Sequence, residues 1–214
     1  FASTWDSDGT EIWQTTNGVD WTLSAAPGLG DPANIGAIAS EVFHGKLYWG
    51  TLNFETGAQI WRSDANKIKQ VMGNGFGSSD NAGITALETF DNYLYAATGN
   101  PTRIEVWRTS NGMKWENMLI LPMYPYPLDD ILINGLEVLD GYLYLVGRND
   151  MTGLGVWRTA NGTEWTQVAF GGFDDANNHI SYWDNAITTF KDKLFIATNN
   201  FDSGGEIWTF LPSE

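Results

Sequence analysis

Two stretches of this chain gather the side chains best suited to chemistry. Phe173–Asp184 (FDDANNHISYWD) brings Asp174, Asp175, Asn177, Asn178, His179, Tyr182 and Trp183 into one short run. Leu121–Asp130 (LPMYPYPLDD) sets Tyr124, Tyr126, Asp129 and Asp130 on a path that three prolines stiffen. Aromatic faces beside carboxylates and amides are what a sugar ring requires: stacking on its apolar face, hydrogen bonds to its hydroxyls. These residues (Tyr124, Tyr126, Asp129, Asp130, Asp174, Asp175, Asn178, His179, Tyr182 and Trp183) are therefore the candidate ligand-binding set. Asp174, Asp175 and Asn177 also offer oxygens of the kind calcium takes six to eight of, so calcium is a candidate cofactor. No EF-hand spacing accompanies them.

Catalysis finds less support. Hydrolysis of a glycosidic bond needs a positioned acid and base, for which Asp130 and Asp175 are available. Nothing in the sequence specifies their separation. There is no Ser/His/Asp spacing, no Gly-rich phosphate loop and no histidine metal motif. Cysteine is absent, which removes disulfides and thiol chemistry. A formal net charge of −15 repels phosphate backbones and argues against nucleic acid. No apolar run approaches the roughly 18 residues of a membrane span. The expected location is extracellular or cell-surface.

The elements that must hold these stretches are announced by a repeat. Glu11-Ile12-Trp13, Gln59-Ile60-Trp61, Glu105-Val106-Trp107, Gly155-Val156-Trp157 and Glu206-Ile207-Trp208 place tryptophans 48, 46, 50 and 51 residues apart. Each lies on a third strand, C. A first strand, A (Ala37–Phe43, Ile84–Phe90, Ile133–Leu139, Asp184–Phe190), precedes a tight turn such as His44-Gly45 or Asp140-Gly141. Strand B (Leu47–Thr51 and its equivalents) follows. After strand C come Asn17-Gly18, Asn111-Gly112 and Asn161-Gly162 turns and a strand D. Short strands linked by hairpins in units of four make antiparallel blades that bury one another's faces.

The segments Thr15–Trp21, Thr109–Trp115 and Thr159–Trp165 carry the Gly three residues before Trp that marks an Asp-box. The blade pattern thus resembles the Asp-box (BNR-like) β-propeller repeats of sialidase-like and glycan-associated proteins. The box Asp is replaced by Thr16, Ser110 or Ala160. The resemblance implies a propeller and carries no catalytic residue to this chain.

The expected fold is all-β: a five-bladed β-propeller of four-stranded antiparallel blades, with incomplete first and last blades. The alternative is part of a larger six- or seven-bladed propeller. Residues 1–214 form one domain, with units near 1–25, 35–72, 82–120, 131–170 and 182–214. The first unit lacks strand A and the last has no room for a full strand D, so seam strands are open to self-association.

Within the repeats, Glu41, Glu88 and Glu137 share one column of strand A, and Arg62, Arg108 and Arg158 one column of strand C. The fifth unit has Thr188 and Thr209 there. We expect each Arg to reach its Glu over small residues of strand B (Gly50, Ala97), since buried charges are tolerable when paired. Another column, Asp6, Asn53, Asn100, Asn149 and Asn200, opens every B-to-C loop and is expected to form Asx turns. The functional expectation is a non-catalytic propeller that binds a glycan or protein ligand through its loop face. An assembly module joined through its seam, and a carbohydrate-active hydrolase or lyase, are the alternatives.

Overall fold

The computed structural model describes residues 1–64, 67–100, 103–122, 133–148, 152–180 and 185–210. Strands β1 (Ala2–Ser3), β2 (Ile12–Gln14) and β3 (Thr22–Leu23) form a three-stranded first blade. The second blade is β4 (Gly36–Phe43), β5 (Lys46–Leu52), β6 (Ile60–Asp64) and β7 (Lys67–Met72). The third is β8 (Gly83–Phe90), β9 (Tyr93–Gly99), β10 (Arg103–Thr109) and β11 (Glu116–Pro122). The fourth is β12 (Ile133–Leu139), β13 (Tyr142–Gly147), β14 (Gly155–Thr159) and β15 (Thr166–Ala169). The fifth is again three-stranded: β16 (Ile187–Phe190), β17 (Lys193–Ala197) and β18 (Ile207–Phe210). This is an all-β propeller of five blades whose first and last are three-stranded among the described residues, as the strand count predicts.

Alternation along each strand sends one set of side chains to the preceding blade and the other to the following one. In β9, Leu94 and Ala96 pack with Phe43, Tyr48 and Ile60 of blade 2, while Tyr95 and Ala97 pack with Ile133, Leu136 and Leu143 of blade 4. Similar layers join blades 1 and 2 (Ile12, Leu29, Trp49) and blades 4 and 5 (Tyr144, Val156, Ile187, Ile196). Burying both faces of every middle blade is what makes a stack of thin sheets stable. Among the described residues, no such layer joins blade 5 to blade 1. Ile207 is 76% exposed and Phe190 60%, although their counterparts Ile60, Val106 and Val156, and Phe43, Phe90 and Leu139, are buried.

Close approaches between blades explain two glycines. Gly112, at φ +71°, sits in the C-to-D turn of blade 3, where an added Cβ would lie 1.9 Å from the hydroxyl of Tyr48 in blade 2. Gly162 meets Tyr95 in the same way, whereas Gly18 of blade 1 faces open space. Each of these turns is closed by its Asn, whose Oδ1 accepts two backbone N–H groups: Asn111 takes Met113 and Lys114 at 2.9 Å, and Asn161 takes Thr163 and Glu164 at 2.9 Å.

Candidate functional site

The D-to-A and B-to-C connections of successive blades meet on one face and interlock there. Pro27–Gly30, Asn74–Gly77 and Gly171–Asp174 are three copies of one tight turn, each with two consecutive left-handed residues: Gly28-Leu29, Gly75-Phe76 and Gly172-Phe173. Five positions beyond Leu29, Phe76 and Phe173 stand Asn34, Asn81 and Asn178. All three asparagines are buried. Their Nδ2 atoms donate to the carbonyls of Gly28 (2.9 Å), Gly75 (2.7 Å) and Gly172 (2.9 Å). Their Oδ1 atoms accept Nδ2–H from Asn53 (3.0 Å), Asn100 (2.7 Å) and Asn200 (2.9 Å) of the B-to-C loops.

The Glu-x-Trp motif is the third part of the same clasp. Glu105 Oε2 accepts both the indole N–H of Trp107 and the amide of Asn81, each at 2.9 Å. Gln59 does the same work for Trp61 and Asn34, at 2.9 Å each. The left-handed hydrophobic residue then lies on the tryptophan: Phe76 stacks on Trp107 at 4.4 Å and Phe173 on Trp208 at 4.8 Å. The Asx turns expected at the B-to-C loops are present at Asp6, Asn53 and Asn200. Asn53 Oδ1 accepts Glu55 and Thr56 N–H at 3.0 and 2.9 Å, Asn200 accepts Asp202 and Ser203 at 3.0 Å each, and Asp6 accepts Asp8 at 2.9 Å. Asn149 lies outside the described residues.

Of the predicted binding residues, Tyr124, Tyr126, Asp129, Asp130, Tyr182 and Trp183 also lie outside the described residues. Asp174 is exposed at φ +72°. Asp175 Oδ1 accepts Asn177 N–H at 2.9 Å, and its Oδ2 accepts Asn200 Nδ2–H at 3.0 Å. Asn177 donates to Asp202 at 3.1 Å. Asn178 is spent within the clasp. His179 pairs through its backbone with Asn199, and its Nδ1 is buried with no hydrogen-bond partner among the described residues. The stretch Gly171–Asn178 therefore follows the repeat. The signal was legible: PGLGDPAN, NGFGSSDN and GGFDDANN align as x-Gly-hydrophobic-x-(Asp/Ser)-x-x-Asn. Among the described residues no three carboxylate or imidazole groups are placed to hold a metal ion.

Sequence alone did not mark the exposed aromatic residue that follows two of the Asx positions. Phe54 is 59% exposed and Phe201 89%, next to Asn53 and Asn200. Phe54 borders a loop-face cavity of about 430 Å³ between blades 1 and 2, shared with Ser7, Asp31, Pro32, Ile35 and Glu55. Asp31 Oδ2 accepts Gln59 Nε2–H at 2.9 Å and its Oδ1 accepts Ala33 N–H at 3.1 Å. A carboxylate offers about four lone-pair sites, so Asp31 retains accepting capacity toward the cavity.

The Glu–Arg pairing is corrected. The register runs Glu41↔Tyr48↔Arg62 and Glu137↔Tyr144↔Arg158, so a large tyrosine, not a small residue, separates the two charges. Glu88, Tyr95 and Arg108 repeat it. Arg62 instead pairs with Asp64 at 3.1 Å and Arg108 with Glu116 at 2.7 Å, and Arg158 lies 4.5 Å over the ring of Tyr142. Arg108 also reaches the hydroxyl of Tyr95 at 3.4 Å and the Asn161 carbonyl of blade 4 at 3.5 Å.

The glutamates border the axial channel, where Glu41 and Glu88 help line a cavity of about 320 Å³ with Ser40, Thr85, Leu136 and Asn185. Glu137 Oε1 accepts the hydroxyl of Thr189 at 2.7 Å and its N–H at 3.1 Å. Thr89 of the next blade stands beside Glu41 and acts to lower its pKa, with its hydroxyl donating to the Val42 carbonyl at 3.4 Å, yet burial still raises that pKa. For Glu88 the corresponding residue of the next blade is Val138, which has no hydroxyl. Burial, with Glu41 and Glu137 adding repulsion, pushes the Glu88 carboxyl up to about 8. At neutral pH it is largely a neutral acid.

No family model matches the chain, and no curated protein sequence does. Solved structures do match. An α-L-arabinofuranosidase of Fusarium graminearum in complex with an iminosugar inhibitor aligns over 98% of this chain and 65% of its own, at 14% identity and a TM-score of 0.55. The leech intramolecular trans-sialidase complexed with 2,7-anhydro-Neu5Ac aligns over 95% of this chain and 36% of its own, at 9% identity and 0.54. A β-fructofuranosidase mutant of Bombyx mori in complex with sucrose aligns over 95% and 54%, at 12% identity and 0.51. At these identities the likeness is one of fold: the chain is a β-propeller. It spans between about one third and two thirds of the length of these matched chains. No helix among the described residues is long and apolar enough to cross a membrane.

Proposed function

We propose that this propeller binds glycans through its loop face without turning them over, at the cell surface or outside the cell. One observation carries the reading: the cavity of about 430 Å³ in which the exposed ring of Phe54 stands beside Asp31, Glu55 and Ser7. A phenyl face for the apolar side of a sugar and carboxylate oxygens for its hydroxyls form the minimal carbohydrate subsite. Support comes from the three proteins named above, whose structures hold an iminosugar, an anhydro-sialic acid and sucrose on propellers of similar fold. Tyr124, Tyr126, Asp129, Asp130, Asp174, His179, Tyr182 and Trp183 belong to the proposal as further loop residues with suitable chemistry. A non-catalytic role is favoured because Asp31 and Asp175 are tied to scaffold amides, which suits holding a ligand better than moving a proton. The test pairs a glycan array with an assay for released reducing ends. Binding without release, weakened by Phe54→Ala, is expected; sugar release by the wild type that Glu88→Gln abolishes would replace this reading with a hydrolase.

A second reading, assembly of copies through blade 5, is favoured by the exposure of Phe190 and Ile207 in columns that every middle blade buries. Sedimentation across a hundredfold concentration range tests it. A mass that rises for the wild type and stays monomeric for Ile207→Asp is the expected signature.

A further inference from the structure

Blade 1 is docked on blade 2 as the repeat requires, without a strand A among the described residues. Its bridge Trp5↔Gly36 matches Leu52↔Gly83 between blades 2 and 3. Ser3, whose Oγ donates to the Ala37 carbonyl at 2.9 Å, stands where Gly50 approaches Ile84 in the next pair. Register places Phe1, Ala2 and Ser3 in the columns of Tyr48-Trp49-Gly50 and Tyr95-Ala96-Ala97. In every other blade the first of these residues pairs with a strand A: Tyr48 with Glu41, Tyr95 with Glu88, Tyr144 with Glu137 and Phe195 with Thr188. Among the described residues nothing pairs with the outer edge of β1. Thr4 N–H donates toward β2, to the Glu11 carbonyl at 3.1 Å, so alternation turns the N–H and C=O of Ser3 to that edge.

A cavity of about 390 Å³ runs beside this edge, between residues 1–3 and residues 37–40, and reaches Leu47 and Trp49. Strand A fills the matching space elsewhere with a ring. Phe43 lies 6.1 Å from Tyr48, Phe90 6.1 Å from Tyr95 and Phe190 6.4 Å from Phe195. Phe1 meets the edge of Trp49 at 5.5 Å and stays 57% exposed. Val42 is 57% exposed as well, in the column where Thr189 bonds the Glu of the preceding blade. The position that pairs with Phe1 belongs to the column of Glu41, Glu88 and Glu137. Burial raises the pKa of Glu41 and Glu88, and repulsion within the column adds to it. A fourth acid there would be repelled and would find no hydroxyl at Val42, whereas a base would be attracted.

We infer that this groove takes an extended segment of a partner protein as strand A of blade 1, with Lys or Arg opposite Phe1 and Phe or Leu two residues later. Backbone bonds to the β1 edge supply affinity and the two side chains supply selection. A second copy does not meet the requirement, since none of the strands A of this chain carries a base in that column. This docking does not depend on glycan binding at the loop face.

The test uses the full 214-residue chain and a labelled, end-capped peptide of residues 83–90 bearing Glu88→Lys, read by fluorescence anisotropy. One-to-one binding is expected, weaker by about 10-fold or more for the unsubstituted Glu88 peptide. Ala86→Pro in the peptide removes the N–H that faces Ser3 and should abolish binding. In the protein, Ser40→Trp should block the groove, and Glu41→Gln should narrow the advantage of the Lys peptide over the Glu peptide. Thermal melts of both variants without peptide separate blockage from misfolding. Equal affinity for the Lys and Glu peptides would overturn the charge requirement. No binding of either, or binding indifferent to Ala86→Pro, would overturn strand addition. Binding only after residues 211–214 are removed, or only when the segment is fused ahead of Phe1, would assign the groove to this chain's own ends and overturn the partner.

Discussion

Glu88 offers the sharpest test of the channel geometry. Glu137 is hydrogen bonded by Thr189 of the next blade and Glu41 has Thr89 acting to lower its pKa, whereas the corresponding residue for Glu88 is Val138. The carboxyl that is ordinarily half-ionised near 4.5 is pushed to about 8 in the fold. Between those values the folded protein holds a proton that the unfolded chain has released. Stability is therefore full below about pH 4.5, declines as pH rises through this window, and reaches its floor above about 8. Taken at face value the shift would be worth close to ~5 kcal/mol. Glu88 is half-buried and keeps contact with channel water, and that screening lowers the effect to about 2 kcal/mol. Urea denaturation of the wild type and Glu88→Gln at pH 5 and pH 9 isolates this group, because all other titrations are common to both. The two should be nearly equal in stability at pH 5, with the variant about 2 kcal/mol more stable at pH 9. Val138→Thr, which supplies the missing hydroxyl, should remove part of the decline. Parallel stability curves for wild type and Glu88→Gln across this range would refute the argument.

Gly112→Ala should destabilise by about 3 kcal/mol or more, since a left-handed φ is joined by collision with the buried Tyr48, whereas Gly18→Ala should cost only about 1 kcal/mol for backbone strain; thermal melts of the pair compare them. Asn81→Ala should cost about 2–4 kcal/mol in urea titrations, because it removes at once one hydrogen bond each from the Gly75 carbonyl, the Asn100 amide and the buried Glu105 carboxylate. Ile60→Thr should cost about 2 kcal/mol and its counterpart Ile207→Thr under about 0.5 kcal/mol, as one is buried and the other lies open. A large cost for Ile207→Thr in the same denaturation assay would mean that blade 5 is covered in solution.

The blade count, the strand order and the incomplete ends were legible because they depend on spacing alone: tryptophans at a fixed period and Asx-Gly turns between apolar runs. Cross-strand register was equally available and was misread. A two-residue turn at His44-Gly45 pairs Phe43 with Lys46, and stepping outward along the hairpin pairs Glu41 with Tyr48 rather than with Gly50. That one slip turned a Glu–Tyr–Arg row into an expected ion pair. The clasp was hidden for a different reason. Leu29, Phe76 and Phe173 adopt positive φ, which hydrophobic residues rarely do, so no propensity rule would place a shared turn there. Only the alignment of three loops that look unlike one another in composition exposes it.

The clasp also decides which loop residues remain available to a ligand. Three blade boundaries share the same set: an Asx at the start of the B-to-C loop, an asparagine at the end of the D-to-A loop, and a Glu or Gln two residues before tryptophan. Each polar atom in that set answers another, and the strained Phe76 and Phe173 backbones are held by stacking on Trp107 and Trp208. A residue inside the clasp cannot change without cost at several partners, so function has little room there. The neighbouring positions carry no such obligation. Ser7, Phe54 and Phe201 ride on turns fixed by Asp6, Asn53 and Asn200, and all three are exposed. A rigid turn presenting an exposed side chain is what a binding surface needs, since the backbone that carries it is held in place before the ligand arrives and less entropy is lost on contact. The repeat thus supplies the precision and the residue just beyond it supplies the chemistry. For that reason substitution at Asn53 should loosen both fold and binding, while substitution at Phe54 should remove binding alone.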